Sequence, residues 1–139
     1  NHVGLIAIEL FCTRGGDVVV NEIAPRVHNS GHLTIESCVT CQFEQHIRAI
    51  CDLPLGSVTQ ILPGVMVNLV GEINHNGKAS YHNIYKAFDI EGVFPHIYGK
   101  KITKPYRKMG HITITDEKLD EAMSKARILK NKIKIISTK

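Results

Sequence analysis

A carboxylate, an arginine, two amides and two histidines fall within twelve residues, Asn21-Glu22-Ile23-Ala24-Pro25-Arg26-Val27-His28-Asn29-Ser30-Gly31-His32. A second carboxylate, Glu9, stands upstream of Glu22. Carboxylates hold hard cations, arginine grips an anion by two-point hydrogen bonding, and histidine moves protons near neutral pH. Side chains of such varied chemistry, leaving a run as apolar as Val18-Val19-Val20, exceed what folding needs. They suit one wall of an active site.

The elements that must position them follow from the flanking residues. Residues 3–11 (VGLIAIELF) and 17–23 (DVVVNEI) are apolar, β-branched runs on either side of Gly15-Gly16. A Gly-Gly pair between such runs predicts a two-residue hairpin turn, because glycine accepts the positive φ that these turns need. With Arg14 paired to Asp17, the register sets Glu9 directly opposite Glu22, their β-carbons about 4.5–5.5 Å apart on one face. Like charges so placed repel unless a proton or cation lies between them. Two rigid oxygen ligands suit Mg²⁺, which completes its shell with water and phosphate oxygens. The alternative is a longer turn with shifted register, leaving two separate solvated carboxylates.

A chain of 139 residues with 43% apolar content is long enough to bury a core. It has no 18-residue apolar run and no cleavable signal pattern, which argues against a membrane span. The net charge of +4 conceals an asymmetry: residues 1–99 hold five Lys/Arg against nine Asp/Glu, and residues 100–139 hold twelve against four. Few aromatic residues accompany the lysines, so a base-stacking nucleic-acid surface fits poorly. Cys38 and Cys41 form a C-x-x-C, but Cys12 and Cys51 give no second pair at metal-ligand spacing. All four are expected as buried or half-buried free thiols, as in a reducing cytoplasmic compartment.

Helical spacing of Phe43, His46, Ile47, Ile50 and Cys51 predicts a helix over residues 42–52, ended by Leu53-Pro54, with His46 packed in the core rather than ligating. Residues 65–71 read as a buried strand, Asn76-Gly77 as a turn, and 80–88 as a short helix. Residues 96–100 and 110–115 alternate like strands. Thr115 or Asp116 is placed to cap a helix with Leu119, Ala122, Met123, Ala126 and Leu129 on one side, and 133–136 form a last strand. Leu-Pro, Gly-Ser and Leu-Pro-Gly punctuate residues 53–64. The pattern predicts an α+β chain divided into residues 1–57 and 58–139.

A second chemical cluster is Lys100-Lys101-Ile102-Thr103-Lys104-Pro105-Tyr106-Arg107-Lys108-Met109-Gly110-His111, five cations in nine residues. It suits a phosphate cradle, with Arg binding bidentately and Lys as a point charge. A solvated hairpin loop is the plainer alternative.

The string NEIAPRVHNSGHLTIESCVTCQFEQHIRAICDLPLGS resembles the corresponding stretch of the N5-carboxyaminoimidazole ribonucleotide synthetases, ATP-grasp enzymes of purine biosynthesis. VMVNLVGE, HIYGK and PYRKMGHITIT resemble later segments in the same order. The resemblance implies the C-terminal part of an ATP-grasp module, an antiparallel sheet with helices, over 1–57, and a small β-rich subdomain over 58–139. It implies Glu9 and Glu22 as ligands of Mg²⁺ (or Mn²⁺), Asn21 beside Glu22 as a nucleotide contact, and Arg26 and His28 beside carboxyphosphate and substrate. Lys100 and Arg107, with Lys108 as a further candidate, would hold the ribonucleotide 5′-phosphate. Ala24 stands where many ATP-grasp relatives have a further Asn ligand, so no third metal ligand is carried over.

The implied reaction joins 5-aminoimidazole ribonucleotide to bicarbonate as ATP becomes ADP and phosphate. An ATP-grasp relative, the formate-dependent glycinamide ribonucleotide transformylase, would share Glu9, Glu22 and Arg26, but the HNSGH and RKMGH segments speak against it. A non-catalytic phosphate- or nucleotide-binding module using only the basic cluster is the rival outside enzymes. The adenine clamp and the phosphate-binding lysines of the family have no counterpart in these residues. The expectation is therefore a C-terminal piece, inactive alone, of a homodimeric cytoplasmic enzyme with no nucleic-acid or membrane partner.

Overall fold

A computed structural model describes residues 1–138; Lys139 lies outside the described residues. The chain folds as two compact units, Asn1–Ile61 and Leu62–Lys139, against the 57/58 division drawn from the sequence. The order of elements is α+β, as expected.

In the first unit, β1 (Ala7–Cys12) and β2 (Val18–Ala24) form an antiparallel hairpin. A 3₁₀ turn (Asn29–Leu33), a short helix α1 (Thr34–Ser37) and α2 (Gln42–Ile50) follow. Helix α2 stops because Asp52 takes a left-handed φ of 54° and the Leu53 N–H turns back to the Arg48 carbonyl at 2.9 Å. His46 is half-buried and its Nδ1 accepts the Leu5 N–H at 3.1 Å, so a hydrogen bond holds it rather than the apolar core expected around it. The predicted apolar face of α2 does not close over a core: Phe43, Ile47 and Ile50 are exposed.

The second unit holds two three-stranded sheets. One has the order β3 (Gly64–Val70), β7 (Lys108–Thr115), β5 (Val93–Ile97), all antiparallel. The other has β6 (Ile102–Thr103), β4 (Gly77–His82), β8 (Lys134–Ser137). Helix α3 (Leu119–Lys132) packs on β3 and β7 through Ala122 and Ala126, small residues that let the helix approach the sheet, and through buried Leu129. Met109, Ile112, Ile114 and Ile135 complete the core. Asp120 and Glu121 in the first turn of α3, and Lys130 and Lys132 in the last, complement the helix dipole. No described helix is long and apolar enough to cross a membrane.

Three expectations need correction. Residues 80–88 are not a helix: Ala79–His82 pair with Lys134–Ser137, and only Ile84–Ala87 turn helically, as a 3₁₀ segment. Tertiary pairing with the chain end outweighs the local pattern. Residues 110–115 do form the strand expected of them, within β7, and are buried throughout because β7 is the central strand of its sheet. The strand read at 96–100 lies earlier, at Val93–Ile97. Neither Thr115 nor Asp116 caps α3; the N-cap is Lys118, without a side-chain cap.

Asp116 instead accepts the Lys118 N–H at 3.3 Å and meets Lys125 Nζ at 2.8 Å. The Lys125 ammonium, then the Lys118 N–H, holds its carboxyl below the ordinary value of 3.8. A carboxylate with a lowered folded pKa stabilises the fold above its unfolded pKa and loses that contribution as pH falls through the folded value. Asp116→Asn should therefore lower the Tm of the chain at pH 7, and the gap from the parent should narrow as pH drops below 3.8. Paired thermal melts by circular dichroism check this; a gap independent of pH would refute it.

Candidate metal and phosphate sites

The hairpin places Glu9 opposite Glu22 by a route the sequence did not suggest. Gly15 and Gly16 do not form a two-residue turn, and Arg14 does not pair with Asp17. The Thr13 N–H donates to the Asp17 carbonyl (2.9 Å), the Gly16 N–H to the Thr13 carbonyl (3.1 Å) and the Asp17 N–H to Thr13 Oγ1 (3.1 Å). This makes a three-residue loop, and Cys12 pairs with Val18, one position out of the anticipated register. A β-bulge then inserts Asn21: Leu10 faces Val20 while Glu9 faces Glu22. The bulge restores the register that the longer turn had shifted.

It also re-aims a side chain. Neighbouring strand residues point to opposite faces, but a bulge lets two in succession serve one side. Asn21 Nδ2 accordingly donates to Glu9 Oε2 at 3.2 Å, beside Glu22. His28 closes the group, with Nε2 3.2 Å from Glu22 Oε1 and Nδ1 3.3 Å from Glu9 Oε1. Candidate ligand atoms of Glu9, Glu22 and His28 lie within 4.8 Å of one another. Arg26 stands at the edge, Nη2 3.9 Å from Glu22 Oε1, its Nη1 donating to the Val27 carbonyl at 3.0 Å. The carboxylates keep 36% and 47% of their side-chain surface and His28 only 12%. Two hydrated carboxylates flank a largely enclosed imidazole.

Ser30, which the sequence reading passed over, sets the tautomer. Its N–H donates to His28 Nδ1 at 3.3 Å and its Oγ lies 2.8 Å from the same nitrogen. With Nδ1 accepting, the proton of neutral His28 sits on Nε2 and is donated to Glu22. Gln42, also missed, brackets the His28 main chain, its Oε1 taking the N–H at 2.9 Å and its Nε2 donating to the carbonyl at 2.8 Å. A polar residue at the first position of an amphipathic helix gives no periodicity signal that it faces inward.

Lys100 and Arg107 lie in the second unit in the connection between β5 and β7, and Lys108 opens β7. Lys100 Nζ donates to the Lys108 carbonyl (2.6 Å) and lies 5.5 Å from the centre of the Tyr98 ring. Arg107 Nη1 donates to the Ile102 carbonyl (3.0 Å). The turn carrying Arg107 is clipped to Gly71, whose N–H donates to the Arg107 carbonyl (3.0 Å) and whose carbonyl accepts the Tyr106 N–H (2.9 Å). Burial pushes the Tyr98 phenol above its ordinary value, so it stays protonated in its 2.9 Å hydrogen bond with buried His111. All four cysteines are free, but only Cys38 and Cys41 are half-buried; Cys12 near the hairpin tip and Cys51 after α2 are exposed, because neither segment is covered.

Residues 1–43 match the ATP-grasp domain, and residues 64–125 match the phosphoribosylaminoimidazole carboxylase C-terminal domain. The chain thus joins a stretch that matches the ATP-grasp domain to one that matches the phosphoribosylaminoimidazole carboxylase C-terminal domain. Among curated relatives, the N5-carboxyaminoimidazole ribonucleotide synthase of Bacillus subtilis is 47% identical over 121 residues, 87% of this chain and 30% of the relative. The N5-carboxyaminoimidazole ribonucleotide synthetase of Thermotoga maritima superposes with a TM-score of 0.91 at 54% identity, covering 98% of this chain and 38% of that one. An Aspergillus clavatus N5-carboxyaminoimidazole synthase, solved with ADP and 5-aminoimidazole ribonucleotide, gives 0.80 at 36% identity, covering 92% and 34%. The chain belongs to the N5-carboxyaminoimidazole ribonucleotide synthetase family and corresponds to its C-terminal part, spanning about a third of the length of these relatives.

The clip at Gly71 is open to test. A β-carbon there would collide with the Lys104 carbonyl oxygen and Thr103 Oγ1. Gly71→Ala should cost about 1–3 kcal/mol through forced backbone displacement, lowering Tm by at least roughly 4 °C. Differential scanning calorimetry checks it, and an unchanged Tm would show that the turn carrying Arg107 does not depend on this contact.

Proposed function

We propose that this chain supplies the metal-binding carboxylates and part of the ribonucleotide site of an ATP-dependent ligase that carboxylates 5-aminoimidazole ribonucleotide with bicarbonate. The observation that carries the reading is the opposition of Glu9 and Glu22, with Asn21 and His28 converging on them, inside the segment that matches the ATP-grasp domain.

The donor set fits a hard divalent cation. Two carboxylates on a rigid hairpin share one face, retain access to water, and have an amide and an imidazole beside them. Bound Mg²⁺ (or Mn²⁺) supplies neutralisation of the charge that spreads over the transferring phosphoryl oxygens. In that reaction a bicarbonate oxygen displaces ADP from the γ-phosphorus, giving carboxyphosphate. The amine of the ribonucleotide then takes the carboxyl group, releasing phosphate and a proton.

Within this scheme each side chain has a definite task. Glu9 and Glu22 hold the cation, and Asn21 keeps Glu9 aimed while reaching toward the nucleotide. Arg26, anchored at one nitrogen by the Val27 carbonyl, offers its remaining donors to the carboxylated anion. His28 stands between the carboxylates, its Nε2 3.2 Å from Glu22 and its Nδ1 3.3 Å from Glu9, where an imidazole can position the anion or move a proton. Lys100 and Arg107 from the connection between β5 and β7, with Lys108 at the start of β7, bind the 5′-phosphate. The same reading places the protein in the cytoplasm, where its free thiols persist, and in a homodimer.

Two titrations test it. Mn²⁺ followed by electron paramagnetic resonance should show one site, weakened at least tenfold, about 1.4 kcal/mol, in Glu22→Gln. Absence of Mn²⁺ binding in the parent would remove the metal reading. Calorimetry with 5-aminoimidazole ribonucleotide should show binding that falls at least tenfold in Arg107→Ala, whereas equal affinity for generic polyanions would favour a plain phosphate-binding module.

A further inference from the structure

Gln42 is polar and only 6% exposed. All the hydrogen-bonding groups of its amide have partners. The main-chain N–H of His28 donates only, so the atom it meets at 2.9 Å must be the carbonyl oxygen Oε1, which fixes the orientation of the amide. Nε2 then has two hydrogens. One goes to the His28 carbonyl at 2.8 Å and the other to His32 Nδ1 at 2.7 Å. A single side chain satisfies both backbone groups of His28, as an adjoining strand would.

The surroundings are arranged for this contact. A β-carbon at Gly31 would collide with the Gln42 amide, so glycine is required for the approach. Thr34 Oγ1 accepts the Gln42 N–H at 2.9 Å and donates to the Gly31 carbonyl at 2.6 Å, tying the start of α2 to the 3₁₀ turn. His32 stacks on Phe43 at 5.4 Å between ring centres. Because its Nδ1 accepts from the amide, His32 must be neutral with its proton on Nε2. An imidazolium would set N–H against N–H.

We propose that Gln42 is a positioning residue for the ligase site: it fixes the main chain of His28, so that the imidazole stands between Glu9 and Glu22, and it does so only while His32 is neutral. Ser30 orients the ring; Gln42 orients the backbone that carries it. The inference rests on the proposed role of His28, but its structural core does not depend on metal binding.

The test is a long-range ¹H–¹⁵N spectrum of the histidine rings in the full chain at pH 7, which reads tautomer and protonation directly. The parent should show His32 as the neutral Nε2–H form and His28 as one Nε2–H tautomer. Gln42→Met, which keeps the volume and loses every donor and acceptor, should leave His28 averaging between tautomers. Gln42→Glu should turn His32 into an imidazolium, since a carboxylate oxygen then faces Nδ1, a signature that loss of fold would not produce. Mn²⁺ affinity should stay within twofold of the parent in both variants, because the hairpin, not Gln42, sets the carboxylates. Failure of the parent to bind Mn²⁺ would sink the functional reading and leave the ring spectra to decide on Gln42. A parent His32 protonated on Nδ1, or His28 signals unaltered in both variants, would overturn the proposal.

Discussion

Two carboxylates facing each other across a hairpin repel, and the first unit is organised around tolerating that repulsion. Glu9 and Glu22 are not relieved by burial beside a fixed positive charge. They keep much of their hydration, which lowers the cost of opposing like charges and leaves them accessible to a cation. Everything near them is consistent with that arrangement: an amide donates to one, the imidazole stands between the two at 3.2 and 3.3 Å, and the arginine stays at 3.9 Å, short of a tight ion pair. A closer Arg26 would neutralise the site that the opposition creates.

The means of support differ between the units. Ala24 is the sole buried apolar residue of the first unit among the described residues; Ser37, Thr40 and Gln42 are its buried polar ones. Its order comes from side chains bonded to backbone, such as Gln42 to His28 and Gln45 to Gly56. Such bonds are directional, and losing one partner leaves the other unsatisfied, so they specify position more strongly than stability. The second unit is the reverse. Its strand β7 is buried from Met109 to Thr115, and shape-filling contacts with α3 hold it. The opposed carboxylates sit on a hydrogen-bonded frame, and the cationic loop springs from a packed one.

How much of this was legible depended on the kind of force involved. Hydrophobic period located β3, β7, α2 and α3, because burial acts on every apolar residue of an element at once. It misplaced residues 80–88, where the deciding interaction was pairing with β8, more than fifty residues away. The meeting of Glu9 and Glu22 was anticipated from a two-residue turn that does not exist. A three-residue loop and a one-residue bulge shift the register in opposite senses, and the pairing survives their sum. The strings around Glu22 and Arg107 carried the family resemblance, yet Gln42 and Ser30 stayed invisible, since a side chain that bonds backbone leaves no pattern in spacing.

The bulge explains why the site can be both rigid and crowded. In an unbroken ladder Asn21 would point away from Glu22, and an amide could reach Glu9 only from another element. Insertion of one residue brings amide and carboxylate to the same side without a further loop. The same insertion twists the strand end that carries Ala24 and Pro25 into the 3₁₀ turn, where His28 begins. Register, amide placement and the path to the imidazole thus follow from one irregularity in β2, and a regular hairpin with identical side chains would not assemble the group.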